Sequence, residues 1–202
     1  MKMNLANKLT IFRILLVPVI MLIPIIDNLV GIPGEFLGIS TAFWIMNIIF
    51  IVASITDKLD GYIARSRNQV TTFGKFLDPI ADKILVIVSM IILVEHSKIP
   101  SWIPAIIIMR EFIVSGYRLI AVEKKGEVVA ASIWGKLKTV TQMVAIILAF
   151  IDTNPFGAIF TNSLTGYNFA INLIVTLMMI ICVIATIFSG WDYIKNGKDL
   201  LK

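Results

Sequence analysis

The chain has 202 residues, of which 58% are hydrophobic and only 15% charged; its mean hydropathy is +0.91, against about 25% charged residues in ordinary globular domains. One soluble core cannot hide six apolar runs of roughly 17 to 20 residues, each able to cross about 30 Å of hydrocarbon as a helix, so the composition excludes a soluble enzyme and predicts an all-α, polytopic membrane protein. The net charge of +5 would suit a nucleic-acid binder, but its distribution along the chain excludes that partner.

The first run, Leu9–Ile26, lacks a small-residue cleavage site and is followed by five more of its kind, so it reads as a spanning helix and not a cleaved leader. The others are Ile39–Ala64, Phe76–Val94, Trp102–Val122, Ile133–Ile151 and Tyr167–Phe188. No soluble domain fits in the remainder, and residues 1–202 are expected to form one integral membrane domain with six transmembrane helices. Lys2, Lys8 and Arg13 flank the first run. Lys58, Arg65, Arg67, Lys75 and Lys83 join the second to the third, and Arg118, Lys124, Lys125, Lys136 and Lys138 the fourth to the fifth. Lys195, Lys198 and Lys202 follow the sixth, whereas the intervening loops hold only Lys98. This alternation predicts a multi-pass protein of the plasma membrane with both termini and the 57–83 segment in the cytoplasm. His96, beside Glu95 and Lys98, is expected to be a solvated loop residue, and Cys182, the single cysteine, a packing residue. Trp44, Trp102, Trp134 and Trp191 fit aromatic belts, and Asp192 and Asp199 a solvated tail.

Between the second and third runs, DKLDGYIARSRNQVTTFGKFLDPIAD places four aspartates, two arginines and two lysines within 26 residues. Ionisable groups at the edge of spanning helices are costly, so such a cluster points to function. Asp57 and Asp60 share a helical face with Gly61 and Ala64, and Gly74 precedes Asp78 by four residues as Asp78 precedes Asp82. A connection of about ten polar residues makes the two segments antiparallel neighbours and lets their carboxylates meet near the cytoplasmic surface. Four carboxylates together demand cations; with oxygen-only donors, Mg²⁺ or Mn²⁺ is favoured over zinc, and two ions roughly 4 Å apart would suit phosphoryl transfer. The bland reading is a charged loop in which the acids pair with Lys58, Arg65, Arg67, Lys75 and Lys83. Pro79 allows a helix starting at that residue with Asp78 as its cap, or one continuous, kinked helix from about Thr72, and the second is preferred.

The stretch fits D-x2-D-G-x2-A-R-x8-G-x3-D-x3-D at Asp57, Asp60, Gly61, Ala64, Arg65, Gly74, Asp78 and Asp82 without departure. It thereby resembles the signature of the CDP-alcohol phosphotransferases, membrane enzymes that make phospholipid head groups. NLANKLTIFRI, FGKFLDPIADK, IMREFIVSGYRL and SIWGKLKTVTQM resemble the branch that joins CDP-diacylglycerol to sn-glycerol 3-phosphate. The resemblance covers nearly the whole chain. It implies a six-helix fold, a homodimer in membrane lipid, and an active-site cavity open to the cytoplasm. It implies further that Asp57, Asp60, Asp78 and Asp82 hold the metals, with Asp82 as the base that takes the proton of the attacking hydroxyl. Gly61, Ala64, Arg65 and Gly74 would join the aspartates around the CDP-lipid.

The acceptor phosphate calls for cations in a fork or cluster. Arg110 and Arg118, eight apart on the fourth run, and Lys136 at the start of the fifth are assigned to it. Arg110 also has a structural reading as the partner of Glu111 or Glu123, and Lys136 and Lys138 as charges that orient the chain in the membrane. Thr10 and Arg13 would close the edge of the cavity. An acceptor such as inositol phosphate, serine or phosphatidylglycerol remains an alternative, as does a divalent-cation transporter.

Overall fold

The computed structural model describes residues 5–66, 72–125, 133–161 and 163–196; side chains at 5, 6, 58, 60–66, 72–76, 78, 79, 119, 122–125 and 196 fall outside the description. The order is α1 (Leu5–Val30), β1 (Glu35–Phe36), β2 (Ile39–Ser40), α2 (Thr41–Ser66), α3 (Thr72–Glu95), α4 (Trp102–Lys125), α5 (Ile133–Ile151), α6 (Ala158–Thr161) and α7 (Gly166–Asn196). The long helices coincide with the six apolar runs and extend most of them, so the chain is nearly all-α. The exception is a two-residue hairpin in which Glu35 pairs with Ser40 and Phe36 with Ile39. Its turn places Leu37 at φ 56° and Gly38 at φ 75°, the left-handed pair that a tight hairpin requires.

Among the described residues, three helices are long and apolar enough to cross a membrane by length and composition: Asn7–Val30, Ile133–Ile151 and Gly166–Lys195. The other long helices carry charged residues within their own length, among them Asp57 and Asp60 on α2, Asp78, Asp82 and Lys83 on α3, and Arg110, Glu111 and Arg118 on α4. Burial is inverted relative to a water-soluble protein. Phe12, Leu15, Leu22, Ile48, Ile91, Phe112, Ile181 and Phe188 are exposed, whereas Arg13, Asn47, Ser89, Gln142, Asn172, Thr176 and Ser189 are buried. In lipid that pattern is favourable, because interior polar groups can pair with one another while apolar surface faces hydrocarbon.

The chain divides into two compact units. The first takes the described residues up to Lys98 together with Ala149–Thr153, and the second takes Ile99–Leu148 and the described residues from Asn154 on. In the first, α1 packs against α2 and α3, and α2 against α3. The buried residues of α1, Val17, Ile20 and Ile23, recur every three positions, and α2 carries a buried stripe of Ala42, Met46, Phe50 and Ala53. Pro18 and Pro24 lie inside α1. Each removes one helical hydrogen bond, a loss that membrane helices tolerate when neighbouring groups satisfy the freed carbonyl. Helix α3 runs without interruption through Pro79, as the continuous reading expects.

At the end of α3, Ser97 adopts φ 57° and the amide of Lys98 donates to the carbonyl of Leu93, closing the helix. His96, expected to be solvated, is half-buried, with its ring edge-on to Phe43 at 5.0 Å. The aromatic surface of Phe43 recruits it out of water. Lys98 lies 5.3 Å from the same ring centroid and donates to the backbone carbonyl of Asp152. Burial holds the Lys98 ammonium below its ordinary pKa, and the Asp152 carboxylate opposes that shift.

In the second unit α4 packs against α7, and the single-turn α6 sits on α7. Asn172 fixes α6 from both sides: its amide donates to the carbonyl of Pro155 at 2.9 Å and its oxygen accepts from the amide of Ile159 at 3.0 Å. Cys182 is buried on α7, as a packing residue should be. Helix α7 runs on to Asn196, well past the apolar run. Asp192, expected in a solvated tail, is therefore helical and half-buried; Asp199 lies outside the described residues.

Candidate active site

The acid segment occupies the end of α2 and the start of α3, joined by only five residues where the sequence suggested about ten. On α2 the buried stripe Ala42, Met46, Phe50, Ala53 continues at helical spacing through Asp57 to Gly61 and Ala64. On α3 the stripe of Ala81, Leu85 and Ser89 extends backward through Asp78 to Gly74. The carboxylate positions thus prolong the packing faces of both helices toward their connection, where the apolar interior gives way to charge. The side chains of Asp60, Gly61, Ala64, Arg65, Gly74 and Asp78 lie outside the described residues. Asp57 and Asp82 are described, and both are half-buried.

Helix α1 adds a residue that sequence reasoning undervalued. Arg13, read first as a topology charge and as a lining of the cavity edge, is fully buried, and its Nη1 lies 2.7 Å from Oδ1 of Asp57. Thr10 and Asn7, about one and two turns earlier, are buried as well. The signal was present in the sequence: Asn7, Thr10 and Arg13 recur every three residues and run directly into the packing face of Val17 and Ile20.

Carboxylate oxygens are the only strong donors that the segment offers. The sole histidine is at the opposite end of α3, and the sole cysteine is on α7. This donor set suits a hard divalent cation and not zinc. Among the described residues no group of three or more potential ligands is assembled, since Asp60 and Asp78 contribute no described side chain. A one-third-exposed Asp57 carboxylate on the line of Asp60 is consistent with a site that such an ion could enter.

The second unit holds a separate polar cluster on α4, α5 and α7. Glu111 is its hub, accepting an ion pair from Arg110 at 3.0 Å and another from Lys138 at 2.5 Å. Arg110 also donates to the hydroxyl of Ser189. Gly190 lies beside this contact, where a Cβ would stand 3.4 Å from Cγ of Arg110, an ordinary van der Waals distance. Of the two roles open to Arg110, the structure displays the pairing with Glu111. Arg118 is exposed and donates from Nη2 to the phenol oxygen of Tyr193 at 2.5 Å. Lys136 is exposed, whereas Lys138, two residues on, is buried and joins the cluster. Helical phase accounts for the difference, since a shift of two residues turns a side chain by about 200°. Ser189 and Tyr193 were not anticipated, although they continue the α7 stripe of Met179, Cys182 and Thr186 at three- to four-residue spacing.

The sequence profile described as CDP-alcohol phosphatidyltransferase matches residues 3–191. A Bacillus subtilis protein named CDP-diacylglycerol–glycerol-3-phosphate 3-phosphatidyltransferase is 42% identical over 98% of this chain and 97% of its own length. Proteins of the same name from Haemophilus influenzae, at 36% identity over 100% of this chain and 97% of theirs, and from Rickettsia typhi, at 38% over 96% and 97%, are similar throughout.

Proposed function

This chain belongs to the CDP-alcohol phosphatidyltransferase family, and on that premise we propose that it transfers the phosphatidyl group of CDP-diacylglycerol to sn-glycerol 3-phosphate in phospholipid biosynthesis. The products are phosphatidylglycerol phosphate and CMP. The observation that carries this reading is the similarity, over almost the full length of both partners, to enzymes named for that reaction. The eight signature residues on α2 and α3 supply the matching chemistry.

A hydroxyl of the acceptor attacks the phosphorus that bears the lipid, a new P–O bond forms, and the bond to CMP breaks with its electron pair leaving on CMP. Asp57, Asp60, Asp78 and Asp82 are the residues that would hold divalent metal, Mg²⁺ or Mn²⁺ and two ions by the count of acids. When bound, the metal would offset the charge that develops on the diphosphate. Asp82 takes the proton of the attacking hydroxyl, which requires it to be ionised and within hydrogen-bond reach. Gly61, Ala64 and Gly74 would line the nucleotide site, where the absence of side-chain bulk lets a substrate lie against the backbone, and Arg65 is assigned to the diphosphate or its surroundings. Arg13 holds the Asp57 carboxylate in place from α1.

Arg110, Arg118 and Lys136 are assigned to the acceptor phosphate, with Lys138 and Glu111 added as the partners that order Arg110. Among the described residues Glu111 offsets one of the two cations that pair with it, Arg110 and Lys138, and Arg118 is held by a neutral phenol, so the cluster keeps an excess of positive charge for a phosphate dianion. A neutral or zwitterionic acceptor would need no such excess. In the membrane all six long helices span, both termini lie in the cytoplasm of a plasma-membrane protein, residues 1–202 act as one domain, and two copies associate.

Purified protein in detergent, given CDP-diacylglycerol and Mg²⁺, should release CMP with glycerol 3-phosphate and lose that activity to a chelator. Release only with inositol phosphate, serine or phosphatidylglycerol would keep the family and overturn the acceptor. No release with any of them would overturn the reaction.

A further inference from the structure

Tyr193 stands outside the family signature and beyond the last apolar run, yet it is buried on α7, at 4% exposure. Its phenol oxygen accepts from Arg118, whose guanidinium carbon lies 5.2 Å from the ring centroid; that of Arg110 lies 5.7 Å from the same centroid. Tyr117 meets the same ring in a T-shaped contact at 6.0 Å. One ring from α7 therefore touches both arginines of α4, which sit eight residues apart on that helix.

We propose that Tyr193 is the positioning residue of the acceptor-phosphate site, holding Arg118 in a fixed orientation without neutralising it. The contrast within the cluster is the argument. Arg110 is ordered by a carboxylate, Glu111, and shares its charge with it. Among the described residues Arg118 is ordered by a neutral phenol, a partner that leaves its positive charge uncancelled on the exposed side. A long, flexible side chain held in advance loses less rotamer freedom when an anion binds, and that gain appears as affinity. An acid in place of Tyr193 would hold the guanidinium as firmly and cancel the charge that the anion needs. The ring adds a cation–π contact that the phenol oxygen alone would not. The chemistry recognised is a phosphate dianion on a small alcohol, so the inference rests on the acceptor assignment made above.

The test compares wild type, Tyr193→Phe, Arg118→Ala and the double variant in the CMP-release assay, varying glycerol 3-phosphate and CDP-diacylglycerol in turn. Loss of one hydrogen bond to a charged group predicts a KM for glycerol 3-phosphate raised about 3- to 10-fold in Tyr193→Phe, with kcat and the KM for CDP-diacylglycerol within about twofold of wild type. In the Arg118→Ala background the same change should add nothing, because the group that it positions is gone. A purely structural tyrosine would instead lower the melting temperature and change both KM values and kcat together, an outcome that overturns the proposal. So does an unaltered KM for glycerol 3-phosphate in Tyr193→Phe, or full additivity in the double variant. If wild type turns over another acceptor and not glycerol 3-phosphate, the acceptor assignment fails first, which separates the two failures.

Discussion

Arg13 on α1 and Asp57 on α2 form an ion pair of 2.7 Å in which the arginine is fully buried and the aspartate one-third exposed. The pair is asymmetric. Asp57 can still be hydrated if its partner is lost, whereas the guanidinium has no route to water without moving α1. The first acid of the signature therefore has a structural duty as well as a chemical one.

That asymmetry separates the two charge-removing variants of the signature. Asp57→Asn should abolish transfer, by about a hundredfold or more, and also destabilise the protein by about 1–3 kcal/mol, because the buried Arg13 loses the charge of this carboxylate. Asp78→Asn should abolish transfer to a similar degree as a loss of chemistry. Arg13→Met should lower both melting temperature and activity, and pairing it with Asp57→Asn should recover part of the lost stability, since the buried cation and its carboxylate partner are then removed together. Thermal unfolding in detergent alongside CMP release measures both effects. An Asp57→Asn protein as stable as wild type would remove the structural role of the pair, and near-native turnover by a well-folded Asp78→Asn would remove the metal role.

The acceptor cluster offers a second separation. Arg118 is exposed and held by a neutral group, whereas Arg110 and Lys138 converge on Glu111. Arg118→Ala is expected to raise the KM for glycerol 3-phosphate by about 10- to 100-fold with little change in melting temperature, the mark of a lost binding interaction at an accessible site. Glu111→Gln is expected to lower stability by about 1–3 kcal/mol, because two adjacent cations then repel without a shared carboxylate. Steady-state kinetics and thermal unfolding of the two variants should thus move in opposite columns. A Glu111→Gln protein of wild-type stability would show that Arg110 and Lys138 are neutralised elsewhere.

Much of this organisation was legible before any coordinates. The apolar runs located the long helices because a helix long enough to span needs an unbroken apolar length, and residue count sets Asp57, Gly61 and Ala64 on one helical line and Gly74, Asp78 and Asp82 on another, because helical phase is fixed by spacing. What the sequence concealed depends on three-dimensional neighbours. Arg13 looked like one more cytoplasmic charge, since charge counting cannot tell a snorkelling arginine from one turned inward. Lys136 and Lys138 were equivalent by composition and opposite in phase. The end of α7 looked like a solvated tail because Asp192, Lys195 and Lys198 dominate its polarity, while Tyr193 and Ser189 continue the buried stripe among them. His96 followed Phe43, a residue far from it in sequence.

At the far end of the first unit, Lys98 supplies a prediction that concerns pH and not catalysis. Burial lowers its pKa from the usual 10.5, with Asp152 opposing. A lysine with a depressed folded-state pKa binds fewer protons in the folded protein than in the unfolded chain whenever the pH lies between the two values. Stability must then rise with pH through that window, from the folded value up to 10.5, and be flat below it as far as this group is concerned. The melting temperature in detergent should accordingly climb as pH is raised through the alkaline range toward 10.5. Lys98→Met, which keeps the apolar stem against Phe43 and removes the titrating group, should flatten that climb. The variant gives up the hydrogen bond to the Asp152 carbonyl, so its stability at neutral pH reflects a lost contact against a relieved desolvation cost of similar size. The slope with pH, and not the absolute melting temperature, is therefore the quantity to compare, and a slope identical in both proteins would show that Lys98 is solvated enough to titrate as it does in the unfolded chain.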